Sequence, residues 1–171
     1  QYDENIHKIF NEFFSNPFIE EFLKSILGSN YKIWTINYRL SLNTDKGLSL
    51  HQDSYGETNL TILLKNNFTG QGTTTFIPGS HLIKHSLKKN NIGIPLFFNS
   101  IFKPFAKNLT GRKGQVSLFF NKTWHARTAN FSGENYDAIL ISLFPPGTSY
   151  GSSESGQWSS AYLEAHKDSN L

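Results

Sequence analysis

The sequence predicts a mainly β domain, an antiparallel sandwich or barrel preceded by short helices, on three observations. From residue 31 apolar residues recur with period two: Trp34, Ile36, Tyr38, Leu40 and Leu42 share one face, and Thr35, Asn37, Arg39 and Ser41 share the other. Further short runs of strand character follow at 48–53, 59–64, 73–77, 115–120, 124–130 and 137–144. Glycine and asparagine turns separate them, and they do not alternate with helices, which argues against a parallel α/β sheet. Charged residues are only 17% of the chain, while Asn, Ser, Thr and Phe are abundant, a mixture that suits strands joined by polar loops better than helical bundles.

The helices come first. Residues 16–28, NPFIEEFLKSILG, carry a complete start and stop signature: Asn16 as N-cap, Pro17 at the first helical position, Glu20 and Glu21 in the first turn, and Gly28 past the end. Phe18, Phe22 and Ile26 with Ile19, Leu23 and Leu27 form an apolar stripe expected to pack on the core. The preceding NIHKIFNEFF reads as a second short helix with weaker caps. With 171 residues the chain suits one domain: helices over about 5–28, a β core over about 31–145, and a loop-like tail over 146–171, mobile or folded as a lid.

Composition excludes several chemistries. There is no cysteine, so disulfides, thiolate metal ligands and a cysteine nucleophile are ruled out together. Methionine is absent even at position 1, and residues are therefore expected to be missing from the chain. No run approaches the roughly 20 consecutive apolar residues of a membrane helix, and the first residues are too polar for a secretory signal, so the expectation is a soluble, cytoplasmic protein without a membrane partner. The N-x-S/T sequons at Asn59, Asn67, Asn108, Asn121 and Asn130 are what an asparagine-rich chain produces by chance. A formal charge of +3 is too modest for a nucleic-acid partner. Its lysines gather in HLIKHSLKKNN and FKPFAKNLTGRKG, either as solvated loop charge or as a rim for an anionic or carrier-linked small-molecule substrate.

The candidate chemistry begins at LSLHQDSYGE, residues 48–57. In a strand, residues i and i+2 share a face, so His51 and Asp53 can offer an imidazole nitrogen and a carboxylate oxygen to one ion. An isolated His-x-Asp is usually a chance surface pair. A third ligand from His125, in another strand candidate, completes a two-histidine, one-carboxylate set with open positions, the donor set of non-haem Fe(II) sites.

Three segments in one order carry a resemblance: HQD (51–53), FIPGSH (76–81) and GQVSLFFNKTWHARTANFSG (114–133). Together, over about residues 31–145, they resemble the phytanoyl-CoA dioxygenase family of Fe(II)- and 2-oxoglutarate-dependent oxygenases. The resemblance implies a double-stranded β-helix, or jelly roll, with helices at the N-terminus. It implies that His51, Asp53 and His125 hold the iron, which would use 2-oxoglutarate and O2 to hydroxylate a substrate C–H bond with release of succinate and CO2. An intact Asp53 favours hydroxylation over halogenation, since halogenating relatives replace this carboxylate with a small residue.

One position departs from the family. The arginine that usually holds the distal carboxylate of 2-oxoglutarate falls at residue 136, and here it is Tyr136, beside Asp137. Arg127, sharing a face with His125, is the first candidate to replace it, against a structural salt bridge as the alternative; Arg39 on the first long strand is the second. Asn37 and Thr35, on the same face as Arg39, are candidates to line the co-substrate pocket. His81 and His85 are read as part of the wall around the Pro78-Gly79 turn, not as metal ligands. Trp124 and Gln52 are expected to point away from the ligand face, and Trp34 and Tyr38 to pack in the core. The function expected is a 2-oxoglutarate-dependent dioxygenase. The alternative, motivated by Tyr136, is a metal-binding jelly roll of non-oxidative function, isomerase-like or sugar- or nucleotide-binding, that does not use 2-oxoglutarate.

Overall fold

Asn16 caps the second of two consecutive helices, α1 (Glu4–Phe14) and α2 (Pro17–Leu27), its side chain accepting from the backbone N–H of Phe18 and Ile19. The computed structural model describes residues 4–53, 56–68, 70–82 and 103–148. Eight strands follow the helices: β1 (Lys32–Ser41), β2 (Leu48–His51), β3 (Thr58–Leu63), β4 (Thr74–Phe76), β5 (Lys107–Asn108), β6 (Val116–Phe120), β7 (His125–Arg127) and β8 (Tyr136–Phe144). Every strand run expected from the sequence is present. The two-residue β5 and the 3-10 turns at Ser80–Leu82 and Lys103–Phe105 were too short for their periodicity to announce them. His85 and residues 149–171 of the expected tail lie outside the described residues. Among the described residues no helix is long and apolar enough to cross a membrane.

The strands form two four-stranded antiparallel sheets, ordered β1-β8-β3-β6 and β2-β7-β4-β5. The chain passes from one sheet to the other at every step except β4 to β5, so neighbours in sequence are rarely neighbours in a sheet.

Register assigns each side chain of the first sheet to a face, because directly opposed residues of an antiparallel pair lie on the same side. Ile36 opposes Ile141, which opposes Leu60, and Tyr38 opposes Ile139, which opposes Ile62. These lie on the outer face, where Leu60, Ile141 and Leu143 form a buried cluster with Leu23 and Leu27 of α2 and with Phe10, Phe13 and Phe14 of α1. The inner face, turned to the second sheet, is more polar. Asn37 opposes Leu140, which opposes Thr61; Thr35 opposes Ser142, which opposes Asn59; and Arg39 opposes Ala138.

Two expectations about packing are corrected by this arrangement. The α2 stripe splits: Ile19, Leu23 and Leu27 face the core, whereas Phe18, Phe22 and Ile26 are exposed, Phe18 to 76%, with Phe18 and Phe22 stacked on each other. A helix lying on a flat sheet buries a narrower arc than six apolar residues cover. The apolar face of β1 does not bury as a unit either. Ile36, Tyr38 and Leu40 lie on the outer face of an edge strand and are exposed, as is Leu42 just past its end. The register shifts between Ile33 and Thr35, and Trp34 packs edge-on against Phe144.

The two faces of α2 therefore differ in energetic weight. Leu23→Ala is expected to lower unfolding free energy by about 2–5 kcal/mol, while Phe18→Ala changes it by no more than about 0.5 kcal/mol. Urea denaturation of the two variants against the parent checks both.

Candidate metal centre

The Ile77-Pro78-Gly79-Ser80 turn sets the start of β7. Gly79 takes a left-handed backbone, φ +78°, which places Ser80 so that its hydroxyl donates to the Ile77 carbonyl (2.7 Å) and accepts from the Trp124 N–H (2.9 Å). The Ile77 N–H in turn donates to the Trp124 carbonyl. Trp124 packs with Leu50 and Ala126 in a small buried cluster, as expected, so His125 and Arg127 face the other way.

Across the β2–β7 pair, His51 stands directly opposite His125 and Leu48 opposite Arg127. Three steps along β2 match two along β7, so β2 carries an irregularity that brings both Leu48 and His51 to the cavity side while Leu50 stays buried behind. β2 ends at His51, earlier than the expected 48–53. The Asp53 N–H leaves the second sheet and donates to the Asn121 carbonyl (3.1 Å), and the carboxylate still returns to the imidazoles. Gln52 is turned away from them, its side-chain amide donating to the Lys122 carbonyl.

His51, Asp53 and His125 converge with one ligand atom from each lying within 4.8 Å of the others. His51 Nε2 is 3.5 Å from Asp53 Oδ1, His125 Nε2 is 3.2 Å from Asp53 Oδ2, and the ring centroids are 4.3 Å apart. On the far side of each ring, Nδ1 meets a backbone carbonyl: Ser49 for His51 (2.6 Å) and Thr123 for His125 (2.8 Å). A carbonyl only accepts, so each Nδ1 carries the proton and each neutral ring presents its Nε2 lone pair to the centre. Two lone pairs and a carboxylate facing one another call for a cation. Metal bonds of about 2.0–2.2 Å hold adjacent donors about 3 Å apart, close to the separations seen.

Electrostatics favour the same state. Burial, reinforced by the charges of His125 and Arg39, pulls the His51 imidazole below its usual range against the opposing pull of Ser49 and Asp53, which keeps it a neutral donor at neutral pH. Burial works against the Asp53 carboxylate, but positive charge on the Nε2 side of His125 and His51, a proton or in its place a metal ion, outweighs it and holds Asp53 below the usual carboxylate range.

Asp53 is also held from behind. The Asn121 amide donates to Asp53 Oδ2 (3.3 Å) and its carbonyl oxygen accepts from Asn59 Nδ2 (2.7 Å), with Asn121 fully buried. The Asn121 N–H donates to the Glu57 carbonyl, and the Ser142 hydroxyl donates to the Glu57 carboxylate (2.7 Å). Burial pushes the Glu57 carboxyl up, with the Ser142 and Asn121 hydrogen bonds resisting. Sequence reasoning missed this network. Its only signal was that two of the sequon asparagines, Asn59 and Asn121, belong to it, Asn121 being fully buried.

A cavity of about 140 Å³ opens beside the triad between the sheets, walled by Arg39, Asn59, Phe119 and Leu140 from the first sheet and by Thr74 and Arg127 from the second. The two arginines differ. Arg127 Nη2 donates to Asp45 Oδ1 (3.1 Å), and Asp45 is itself tied to the Ser41 hydroxyl and the Gly47 N–H. Gly47, at φ +83°, lets the backbone pass so close that a side chain there would strike the Arg127 carbonyl. Arg39 has no hydrogen-bond or ion-pair partner among the described residues, and its Nε is buried. Tyr136 is buried with Leu63 and Ala138 beside Asn67, on the same face as Arg39. Asn37 is exposed, donates to the Thr35 hydroxyl, and like Thr35 does not line the cavity. His81 stands against Phe120, apart from the metal group.

The geometry makes two expectations. His51→Ala or His125→Ala abolishes tight binding of Fe(II) or Co(II), and Asn121→Ala weakens it by roughly 10- to 100-fold without unfolding the protein. Anaerobic metal titration with a thermal melt of each variant measures both; wild-type affinity in Asn121→Ala would show that Asp53 does not need its support.

No family model matches the sequence, and no curated protein matches it. Solved structures do match. The crystal structure of EvdMO1 superposes with a TM-score of 0.62 at 20% identity, covering 79% of this chain and 32% of that one. The epimerase SnoN in complex with Fe3+, alpha ketoglutarate and nogalamycin RO gives 0.63 at 17% identity over 80% of this chain and 58% of its own. EctD from S. alaskensis with 2-oxoglutarate and 5-hydroxyectoine gives 0.65 at 16% identity over 78% and 51%. The chain thus spans between about a third and three fifths of the length of these proteins, and at such identities the likeness establishes the fold it shares with them.

Proposed function

We propose that the chain is a jelly-roll, mononuclear non-haem iron enzyme that uses 2-oxoglutarate and O2 to hydroxylate a C–H bond of a small molecule, releasing succinate and CO2. The observation that carries this reading is the meeting of His51, Asp53 and His125 at the mouth of an intersheet cavity, with both Nε2 atoms freed for a metal by their Nδ1 contacts. The strand order, two interleaved four-stranded sheets, agrees with a double-stranded β-helix. The HQD, FIPGSH and TWH segments support a phytanoyl-CoA dioxygenase-like chain. SnoN and EctD, which share the fold, were solved with alpha ketoglutarate or 2-oxoglutarate. A small-molecule substrate, anionic or carrier-linked, and a cytoplasmic setting belong to the same proposal.

Iron bound here would supply chelation of the 2-oxo acid and activation of O2. The chain's own residues do the rest. The Ser49 and Thr123 carbonyls lock the two rings in one tautomer and orientation. Asn121 fixes the Asp53 carboxylate, leaving the remaining positions to exchangeable ligands. Phe119, its ring 5.4 Å from that of His125, and Leu140 form an apolar wall that limits water beside the reacting centre.

The expected outcome is succinate formation when the Fe(II) protein is exposed to air with 2-oxoglutarate, abolished in His125→Ala and Asp53→Ala. Bound iron without succinate would favour the non-oxidative metal-binding alternative. SnoN is described as an epimerase, so a second outcome has a specific basis. Mass spectrometry of a turned-over substrate separates the two: hydroxylation adds one oxygen, and epimerisation leaves the mass unchanged.

A further inference from the structure

We infer that Arg39, projecting from β1 into the cavity, anchors the distal carboxylate of the 2-oxo dicarboxylate co-substrate, in place of an arginine at position 136. The inference rests on the proposed iron and 2-oxoglutarate reading, and goes beyond it in assigning the anchor.

Three observations converge on Arg39. It lines the same cavity as His51, Asp53 and His125, and reaches it from the sheet opposite the two histidines. The residue is half-buried and its Nε fully so, yet it has no hydrogen-bond or ion-pair partner among the described residues. Burial, with the neighbouring charge of Arg127, pushes its pKa down to about 10 against a weaker opposing pull from Tyr136 and Asp45, so the group remains a cation, and the one carboxylate that attracts it, Asp45, is already hydrogen-bonded to Arg127. A buried cation left unpaired is costly unless a ligand completes it, and a planar guanidinium suits a carboxylate through two parallel hydrogen bonds.

The competing positions are occupied. Arg127 already donates to Asp45, which is held in turn by Ser41 and Gly47, so moving it toward a ligand would break an ion pair and strand a half-buried carboxylate. Tyr136 fills position 136 with a buried ring packed on Leu63 and Ala138. Its backbone opposes Ser41, two residues from Arg39 on the same face of the adjacent strand. Arg39 itself opposes Ala138, whose small side chain leaves its neighbour room over the sheet. The cation is thereby moved from β8 to β1 while staying over the same patch of the inner face.

The test compares two 2-oxo acids, 2-oxoglutarate and pyruvate, which share the chelating end but differ in the distal carboxylate. Each is titrated anaerobically into the Fe(II) protein and followed by the visible charge-transfer absorption of the chelate. The parent is expected to prefer 2-oxoglutarate by about 10- to 100-fold. Arg39→Gln removes most of that preference with pyruvate binding unchanged, Arg39→Lys keeps part of it, and Arg127→Gln keeps it whole. Unchanged pyruvate binding shows that the iron site of the variant is intact; if Arg39→Gln fails to load iron, the Arg39→Lys comparison decides. The assignment is overturned if the parent does not discriminate, if Arg39→Gln or, where it decides, Arg39→Lys keeps the full preference, or if Arg127→Gln loses it. Loaded iron with no absorption from either acid overturns the co-substrate reading, and the anchor with it.

Discussion

The register of β2 on β7 is the constraint on which the site depends. His51 and His125 are direct partners across that pair, so their imidazoles share a face and stand 4.3 Å apart without any loop having to bring them together. A slip of one residue would send one ring to the buried side among Leu50, Trp124 and Ala126. That buried cluster makes the slip costly, because it would put an imidazole among apolar side chains and a leucine or tryptophan in the cavity. The irregularity in β2 and the Ser80 hydroxyl on the Trp124 N–H hold the register from its two sides.

The distribution of polarity follows from where the cavity lies. The main apolar cluster sits outside the sandwich, between the outer face of the first sheet and the two helices, in contact with α2 through Leu23 and Leu27. The space between the sheets carries Arg39, Asn59, Thr61 and Ser142, with Leu140 and Phe119 as the main apolar exceptions near the metal group. Stability and chemistry are thus assigned to opposite faces of one sheet. Asn59, Asn121, Glu57 and Ser142 satisfy one another there, whereas Thr61 Oγ1 and Arg39 Nε are buried without a partner among the described residues.

Much of this was legible in the residues. The cap at Asn16, the period-two runs and the spacing of HQD and TWH each depend on local geometry, which the chain carries with it. The apolar face of β1 was legible but misleading. Ile36, Tyr38 and Leu40 alternate as a core face does, yet burial depends on what lies opposite, and the helices pack over the middle strands of the sheet. The asparagines gave no signal of their burial. Asn67, Asn121 and Asn130 read as chance sequons and are among the most buried side chains, since an amide that can both donate and accept serves irregular backbone that no strand ladder satisfies.

The sequence by itself determined the donor set: His51, Asp53 and His125 are the right residue types on short strands, and a two-residue period decides which way each side chain points. It also determined that an arginine near His125 or on the first strand would face the same way. Only the tertiary structure decided which arginine is available. Asp45, from the connection before β2, takes Arg127, while Arg39 hydrogen-bonds no carboxylate among the described residues. That choice is a matter of which charges lie within a few ångströms across the space between two sheets. Coulomb energy depends on that distance and on the local burial, and neither is written in the order of residues along the chain.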